Sequence, residues 1–184
     1  MERFKEDSLE NMIQGCTRKI EKSRELLYKK FFGYALSVAM IYNPQRSDAL
    51  EVVNDSFVKV FSKIGQYDST KPFQAWLRKI VINSSIDHLR RNKKNYLLAE
   101  AEYAPVHDES PGAISQLAAQ DIIEILNLLP QLHKTVFCLY EIEGFSHDEI
   151  AEQLGIPVSS SRVYLTRAKK QLRELFPDNS IQGS

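Results

Sequence analysis

The side chains of this 184-residue chain best suited to binding chemistry lie near its end. Ser160, Arg162, Thr166, Arg167 and Lys170 belong to one short segment, and we expect them on the outer face of a helix. Hydroxyl and guanidinium groups can bond to base edges, while lysine and arginine neutralise phosphates. The segment therefore predicts nucleic-acid binding. A helix whose charged face is only solvated is the alternative.

The residues just before this segment predict how it is held. Ser146 followed by Glu149 is a capping-box pattern at a helix start, and Gly155 suits a tight turn that needs positive φ. A proline then precedes a second helix, which Ser159 or Ser160 can cap. The pattern predicts a helix-turn-helix whose second helix enters the DNA major groove.

A second group of candidate residues combines aromatic rings and cations. Stacked rings hold unpaired bases, and cations neutralise the backbone beside them. Phe73 and Trp76 would serve equally well as core residues, so both readings stay open. The candidates are Lys71, Phe73, Trp76, Arg78, Lys79, Asn83, Arg90 and Arg91.

The charge distribution allows binding at both places although the formal net charge is zero. Basic residues dominate from Lys71 to Lys94 and again from Arg162 to Arg173, whereas the stretch from Ala99 to Glu124 carries acidic residues and no lysine or arginine. A neutral chain can thus present two basic surfaces.

The elements that must position these residues are helical. Apolar stripes at helical spacing run from Leu26 to Val38, from Val52 to Ile64 and from Trp76 to Leu89, and no run alternates as a strand would. Asp48 is a plausible start for the second helix and Gly65 its end. We predict an all-α fold of two small helical domains, the C-terminal one containing the helix-turn-helix.

The segment between the domains is predicted to be a flexible acidic linker, since it is polar and contains prolines and a glycine. We place an N-terminal domain at residues 1–95, the linker at 96–112, the helix-turn-helix domain at 113–177 and a disordered tail at 178–184. Within the last domain, Ile114 to Leu129 and Leu132 to Glu143 are predicted helices.

Composition and scattered polar residues argue against several other classes. No apolar stretch approaches the roughly 20 residues of a membrane helix, and the N-terminus lacks the apolar centre of a signal peptide, so we expect a cytoplasmic protein without membrane insertion. Cys16 and Cys138 stand apart and predict buried free thiols. The four histidines form no catalytic or zinc pattern, so we expect no enzymatic activity, metal or cofactor.

The C-terminal segment resembles the sigma-four domain of the sigma-70 family of RNA polymerase sigma factors. The resemblance is carried by LPQLHKTVFCLYEIEGFSHDEIAEQLGIPVSSSRVYLTRAKKQL. It implies recognition of the promoter's minus-thirty-five element. Two positions depart from the family: Ser161 stands where a buried apolar residue is usual, and Tyr164 replaces a frequent arginine.

The N-terminal segment resembles the sigma-two domain of the same family, through LYKKFFGYAL, DALEVVNDSFVKVF and FQAWLRKIVINSSIDHLRR. The resemblance implies that the middle helix binds the polymerase and that the third segment, with the loop from Tyr67 to Gln74, binds the minus-ten element and favours its melting. The implied polymerase-binding residues are Asp48, Glu51, Asn54, Asp55 and Lys59.

Both modules in this order, without the third domain of larger members, point to the short extracytoplasmic-function (ECF) group. The resemblance implies a sigma factor that binds core RNA polymerase and promoter DNA and that has an anti-sigma partner. A dimeric helix-turn-helix regulator with a sensing domain is the main alternative, although the sequence shows no dimerisation heptads. A helical adaptor without a nucleic-acid role is a second, against which the basic residues count.

Overall fold

The computed structural model describes residues 8–92 and 125–175. Every regular element within these ranges is helical, which confirms the predicted all-α class. The predicted linker, the tail and most of the helix predicted from Ile114 lie outside the described residues. Packing divides the chain between His88 and Leu89 into two compact units, which are described separately.

Among the described residues, four α-helices belong wholly or mainly to the first unit: α1 (Leu9–Thr17), α2 (Glu21–Tyr42), α3 (Arg46–Lys63) and α4 (Phe73–Arg91), the last of which runs three residues past the division, and a 3₁₀ turn lies at Ile64–Gln66. The predicted apolar stripes form its core, because Leu27 and Phe31 of α2 and Val53 and Phe57 of α3 are all buried. Burying such stripes is what drives amphipathic helices to pack together.

Three details of this unit differ from the sequence-based expectations. Helix α1 was not predicted; Ser8 caps it by accepting a bond from the Asn11 backbone N–H. Helix α3 begins at Arg46, so Asp48 lies inside its first turn. Gly65 does not end α3 with a left-handed residue but sits in the 3₁₀ turn that follows Lys63.

The described part of the second unit contains α5 (Gln131–Phe137), a π-helical segment (Cys138–Ile142), α6 (His147–Leu154) and α7 (Val158–Leu175). The predicted capping box is confirmed, since the Ser146 side chain accepts from the Glu149 N–H and the Glu149 side chain accepts from the Ser146 N–H. Gly155 adopts the predicted left-handed conformation with φ 61°.

Two predictions in this unit are corrected. The helix predicted from Leu132 to Glu143 is α-helical only to Phe137 and continues as the π-helical segment. Helix α7 begins at Val158, one residue after the proline, so Ser159 and Ser160 lie within its first turn and are not its caps.

Neither described part of the chain contains a helix long and apolar enough to cross a membrane. Both cysteines are free and buried, as predicted. Burial raises the pKa of the Cys16 thiol, which keeps it protonated and unreactive at neutral pH.

Lys134 is an unusual core residue of the second unit. Its side chain is buried, and its Nζ donates a hydrogen bond of 3.0 Å to Oδ1 of Asn127. Burial lowers the pKa of Lys134 from 10.5 to about 8, because a charged ammonium loses hydration there. The folded unit therefore holds a costly charge at neutral pH.

This burial predicts how stability depends on pH. Between pH 8 and 10.5 the unfolded lysine binds more protons than the folded one, so the free energy of unfolding must rise with pH, by about 3 kcal/mol at most. Lys134→Met should stabilise the second unit at pH 7. It should also remove the part of the pH-dependent rise in the free energy of unfolding that Lys134 causes. Urea unfolding, monitored through amide hydrogen exchange of the second unit, would measure both the stabilisation at pH 7 and the change in pH slope. Equal pH slopes for the two proteins would contradict the assignment.

Candidate functional site

Helix α7 separates a buried face from a polar one. Ser161, Leu165 and Ala168 are buried at the intervals expected for one helical face. The predicted DNA-binding residues lie elsewhere on the circumference: Ser160 is half-buried, whereas Arg162, Thr166, Arg167 and Lys170 are exposed. The geometry thus leaves four of the five predicted side chains open to a partner.

Local contacts hold part of this polar face. The Thr166 hydroxyl donates to the backbone carbonyl of Arg162 over 2.9 Å, and Lys170 Nζ lies 3.8 Å from a carboxylate oxygen of Glu174. An exposed pair of that kind contributes little to stability and is readily exchanged for a phosphate. Lys169 differs, because its Nζ lies 2.6 Å from Glu141 of the π-helical segment and so fastens α7 to its own unit.

The departure at Ser161 is compensated within the fold. Ser161 is 0% exposed, and a hydrogen bond of 2.9 Å joins its Oγ to Nδ1 of His147, the first residue of α6. The His147 ring also stacks on Tyr140, with centroids 4.5 Å apart. A polar contact between the two helices of the motif therefore takes the place of an apolar one.

The second departure, Tyr164, is also accounted for by packing. Its half-buried ring lies 5.1 Å, centroid to centroid, from the ring of His133 on α5. Tyr164 thus packs against its own unit at a position where the family often has an arginine.

The His147–Ser161 contact predicts a measurable coupling. In a double-mutant cycle, Ser161→Ala and His147→Ala should each lower the free energy of unfolding of the second unit, with an interaction of about 1 kcal/mol. Ser159→Ala is the matched control, because Ser159 is an exposed serine on the same helix and its loss should change stability by under about 0.5 kcal/mol. Strictly additive effects would show that the contact contributes nothing.

Two of the predicted minus-ten residues, Phe73 and Trp76, lie in an aromatic cluster with Phe31 and Tyr67. Phe73 is 2% exposed and lies between the rings of Phe31, at 4.8 Å, and Tyr67, at 5.3 Å. Trp76 is half-buried beside both Tyr67 and Phe73. The sequence left open whether these rings are core residues or base contacts. Phe73 is a core residue in the structure, whereas part of the Trp76 surface remains accessible to a base.

The loop before α4 is shaped by side-chain bonds. Oδ1 of Asp68 accepts from both the backbone N–H and the hydroxyl of Thr70, and these bonds lower the pKa of that carboxyl group. The Tyr67 hydroxyl donates to the backbone carbonyl of Lys71. The loop is therefore held in a defined turn that leaves the Lys71 side chain exposed.

The remaining predicted contacts follow the exposed part of α4. Lys79, Asn83, Arg90 and Arg91 are exposed, and Arg78 is half-buried. Asn83 stands out because residues Val81, Ile82, Ser84 and Ser85 around it are buried. A polar amide at the one open position of this stretch is well placed to bond to a base or a sugar.

The predicted polymerase-binding residues lie on α3, in two different situations. Glu51, Asn54 and Asp55 are exposed, and Oδ1 of Asn54 accepts a bond of 3.1 Å from the Tyr28 hydroxyl. Lys59 instead turns to α4, where its Nζ donates to Oγ of Ser84 over 3.0 Å and meets Oδ2 of Asp87 at 3.1 Å. Lys59 therefore holds two helices of its own unit together.

Two residues near this surface were missed by the sequence reasoning. Val58 is 68% exposed, beside Asn54 and Asp55 on α3. Its position off the apolar stripe was the signal that could have singled it out. His88 of α4 is buried, with Nε2 3.5 Å from Asp48 and Nδ1 3.8 Å from Glu51. Nothing in the spacing of the sequence indicates that contact.

Comparison with known families agrees with both units. Residues 27–95 match the family described as Sigma-70 region 2, and residues 119–172 match Sigma-70, region 4. The ECF RNA polymerase sigma factor SigE of Mycolicibacterium smegmatis is 30% identical over 141 residues, which are 73% of this chain and 54% of that protein.

Two further similarities extend over most of the chain. The ECF RNA polymerase sigma factor SigW of Bacillus subtilis is 28% identical over 79% of this chain and 83% of its own length. The sigma factor RpoE of Bartonella quintana, solved in complex with the anti-sigma factor NepR, is 19% identical with a TM-score of 0.47, covering 84% of this chain and 97% of that one.

Two matches to sigma-70 family regions in the predicted order, together with two relatives that are both ECF RNA polymerase sigma factors, decide the classification. The chain belongs to the sigma-70 family, in its extracytoplasmic-function group, and is a sigma factor that directs promoter recognition for transcription initiation rather than an enzyme.

Proposed function

We propose that the exposed face of α3 is the surface by which this sigma factor holds core RNA polymerase. Asp48, Glu51, Asn54 and Asp55 supply its polar groups, and the exposed Val58 adds an apolar contact among them. An exposed apolar residue on a helix face that also carries carboxylates suits a partner surface with both basic and apolar groups. Lys59 acts within the unit, holding α4 against α3.

The exposed part of α4 and the loop before it form the proposed minus-ten surface. Lys71, Lys79, Arg90 and Arg91 neutralise phosphates, while Asn83 and the accessible part of Trp76 receive bases. Phe73 supports Trp76 and Tyr67 from beneath and does not itself face DNA. Capturing unstacked bases on this surface favours the melted promoter.

The outer face of α7 is the proposed minus-thirty-five surface. Arg162 and Arg167 are exposed bidentate donors on this face, and guanidinium groups pair with guanine edges in the major groove. Ser160, Thr166 and Lys170 complete the set. The contact between His147 and Ser161 adds to the apolar burial that holds α7 in the rotation that turns these side chains outward.

Two further proposals rest on the family resemblance. An anti-sigma protein is expected to hold the factor inactive by covering one or more of these surfaces. The site of action is expected to be the cytoplasm, where polymerase and promoter DNA are found.

The single observation that supports this function best is the segregation of α7. Its buried side contains only small or apolar residues. Arg162 and Arg167 are exposed on the other side of the helix, and among the described residues the ion pairs of α7 are those of Lys169 and Lys170. Cations held outward on a helix of a helix-turn-helix motif are suited to reading DNA.

Charge reversal tests the proposal. Arg162→Glu with Arg167→Glu should lower transcription from the promoters selected by the wild-type factor at least tenfold, because each lost arginine contact removes about 1–3 kcal/mol of DNA binding. The assay is in vitro transcription of a promoter library with purified core polymerase. Binding to core should be unchanged.

The matched control reverses two exposed cations outside the proposed surfaces, Arg18→Glu with Lys30→Glu, and should leave the selected promoters unaltered. If the Arg162 and Arg167 variant chooses the same start sites with the same yield as the wild type, α7 does not read promoter DNA.

A further inference from the structure

The inference concerns His88, a buried imidazole that none of the roles above uses. It lies near the end of α4, and its ring is almost fully enclosed. Nε2 is 3.5 Å from Oδ2 of Asp48, and Nδ1 is 3.8 Å from Oε1 of Glu51. Both ring nitrogens therefore face carboxylates that lie one turn apart on α3.

The two carboxylates are more open than the imidazole between them. The side chain of Asp48 is 31% exposed and that of Glu51 is 57% exposed, against 5% for His88. A partner that approaches α3 from solvent would meet these carboxylates first and would not touch the ring. His88 is thus placed behind the part of the surface that Asp48 and Glu51 present.

We propose that His88 is a positioning residue for core-polymerase binding, which holds Asp48 and Glu51 in place and weakens their attraction for a basic partner when it is protonated. This rests on the proposed polymerase surface of α3. Protonation converts an imidazole from a neutral group to a cation. A unit positive charge this close to both carboxylates competes with the cations of a partner.

Charged groups approach His88 from α3 and along its own helix. Asp48 and Glu51 are the acidic groups that α3 presents to the ring. On α4, the neighbouring Asp87 is bound by Lys59, and Arg91 lies one turn farther on. The carboxylates of α3 connect His88 with the proposed polymerase surface, since both are more exposed than the ring.

The experiment measures the affinity of the full chain for purified core polymerase from pH 5.5 to 8.5 at constant ionic strength. The proteins compared are the wild type, His88→Gln, and Asp48→Asn with Glu51→Gln. The matched control is His107→Gln, which removes a histidine from outside the described residues. Because core polymerase titrates as well, the quantity read is each variant's affinity relative to the wild type at the same pH.

The proposal predicts that wild-type affinity falls by roughly threefold to tenfold more than that of His88→Gln between pH 8 and pH 5.5. His107→Gln should follow the wild type throughout. The Asp48 and Glu51 variant should bind more weakly at pH 8 and should lose the pH-dependent fall, since the groups through which His88 acts are gone.

The outcomes separate the two proposals. If the Asp48 and Glu51 variant binds core as tightly as the wild type at every pH, the polymerase surface proposed for α3 is wrong. If that variant binds weakly but His88→Gln parallels the wild type at all pH values, the surface stands and the role of His88 is overturned. Should His88→Gln unfold, His88→Asn, which also places an uncharged amide beside the two carboxylates, takes its place in the same comparison.

Discussion

Burial of one face of each helix that carries a proposed binding surface is the constraint on which the rest of this structure depends. When Ser161, Leu165 and Ala168 turn inward, Arg162, Thr166 and Arg167 have no choice but to face solvent. The same holds for α3, where the burial of Val53, Phe57 and Val60 turns Glu51, Asn54 and Asp55 outward. The free energy gained from apolar burial thus also fixes the orientation of the polar groups that bind partners.

The polar contacts refine what apolar burial begins. Lys59 joins α3 to α4 through Ser84 and Asp87, and His147 joins α6 to α7 through Ser161. Each contact connects a helix that carries a proposed binding surface with the helix that supports it. Because hydrogen bonds are directional, such contacts define a rotation that apolar packing alone leaves less certain.

Features that follow from local sequence patterns could be predicted, whereas features that depend on tertiary neighbours could not. The helices of both units and the capping box at Ser146 could be predicted because periodicity and capping are local properties. The nine-residue α1 was missed, since it is short and carries few strongly apolar residues. The sequence could not decide whether Phe73 faces the core or DNA, because an aromatic ring suits both and only its neighbours settle the matter.

Contacts between distant residues were the least predictable part of the candidate site. The sequence grouped Lys59 with the acidic residues of α3 as a polymerase-binding residue. Its bonds to α4 depend on how the two helices cross, which no sequence pattern shows. The pairing of His88 with Asp48 and Glu51 joins residues about 40 positions apart and leaves no pattern in the sequence. Similarly, the sequence shows Ser161 only as a departure from the apolar residue usual at that position, because its hydrogen-bond partner His147 lies 14 residues earlier in the chain.

DNA footprinting in the presence and absence of core polymerase tests the central claim most directly. Two separated helical surfaces acting on one promoter should protect two upstream segments asymmetrically, and only when this chain and core are both present. Protection by the chain alone, as two symmetric half-sites about one helical turn apart, would instead identify a dimeric regulator and contradict this account.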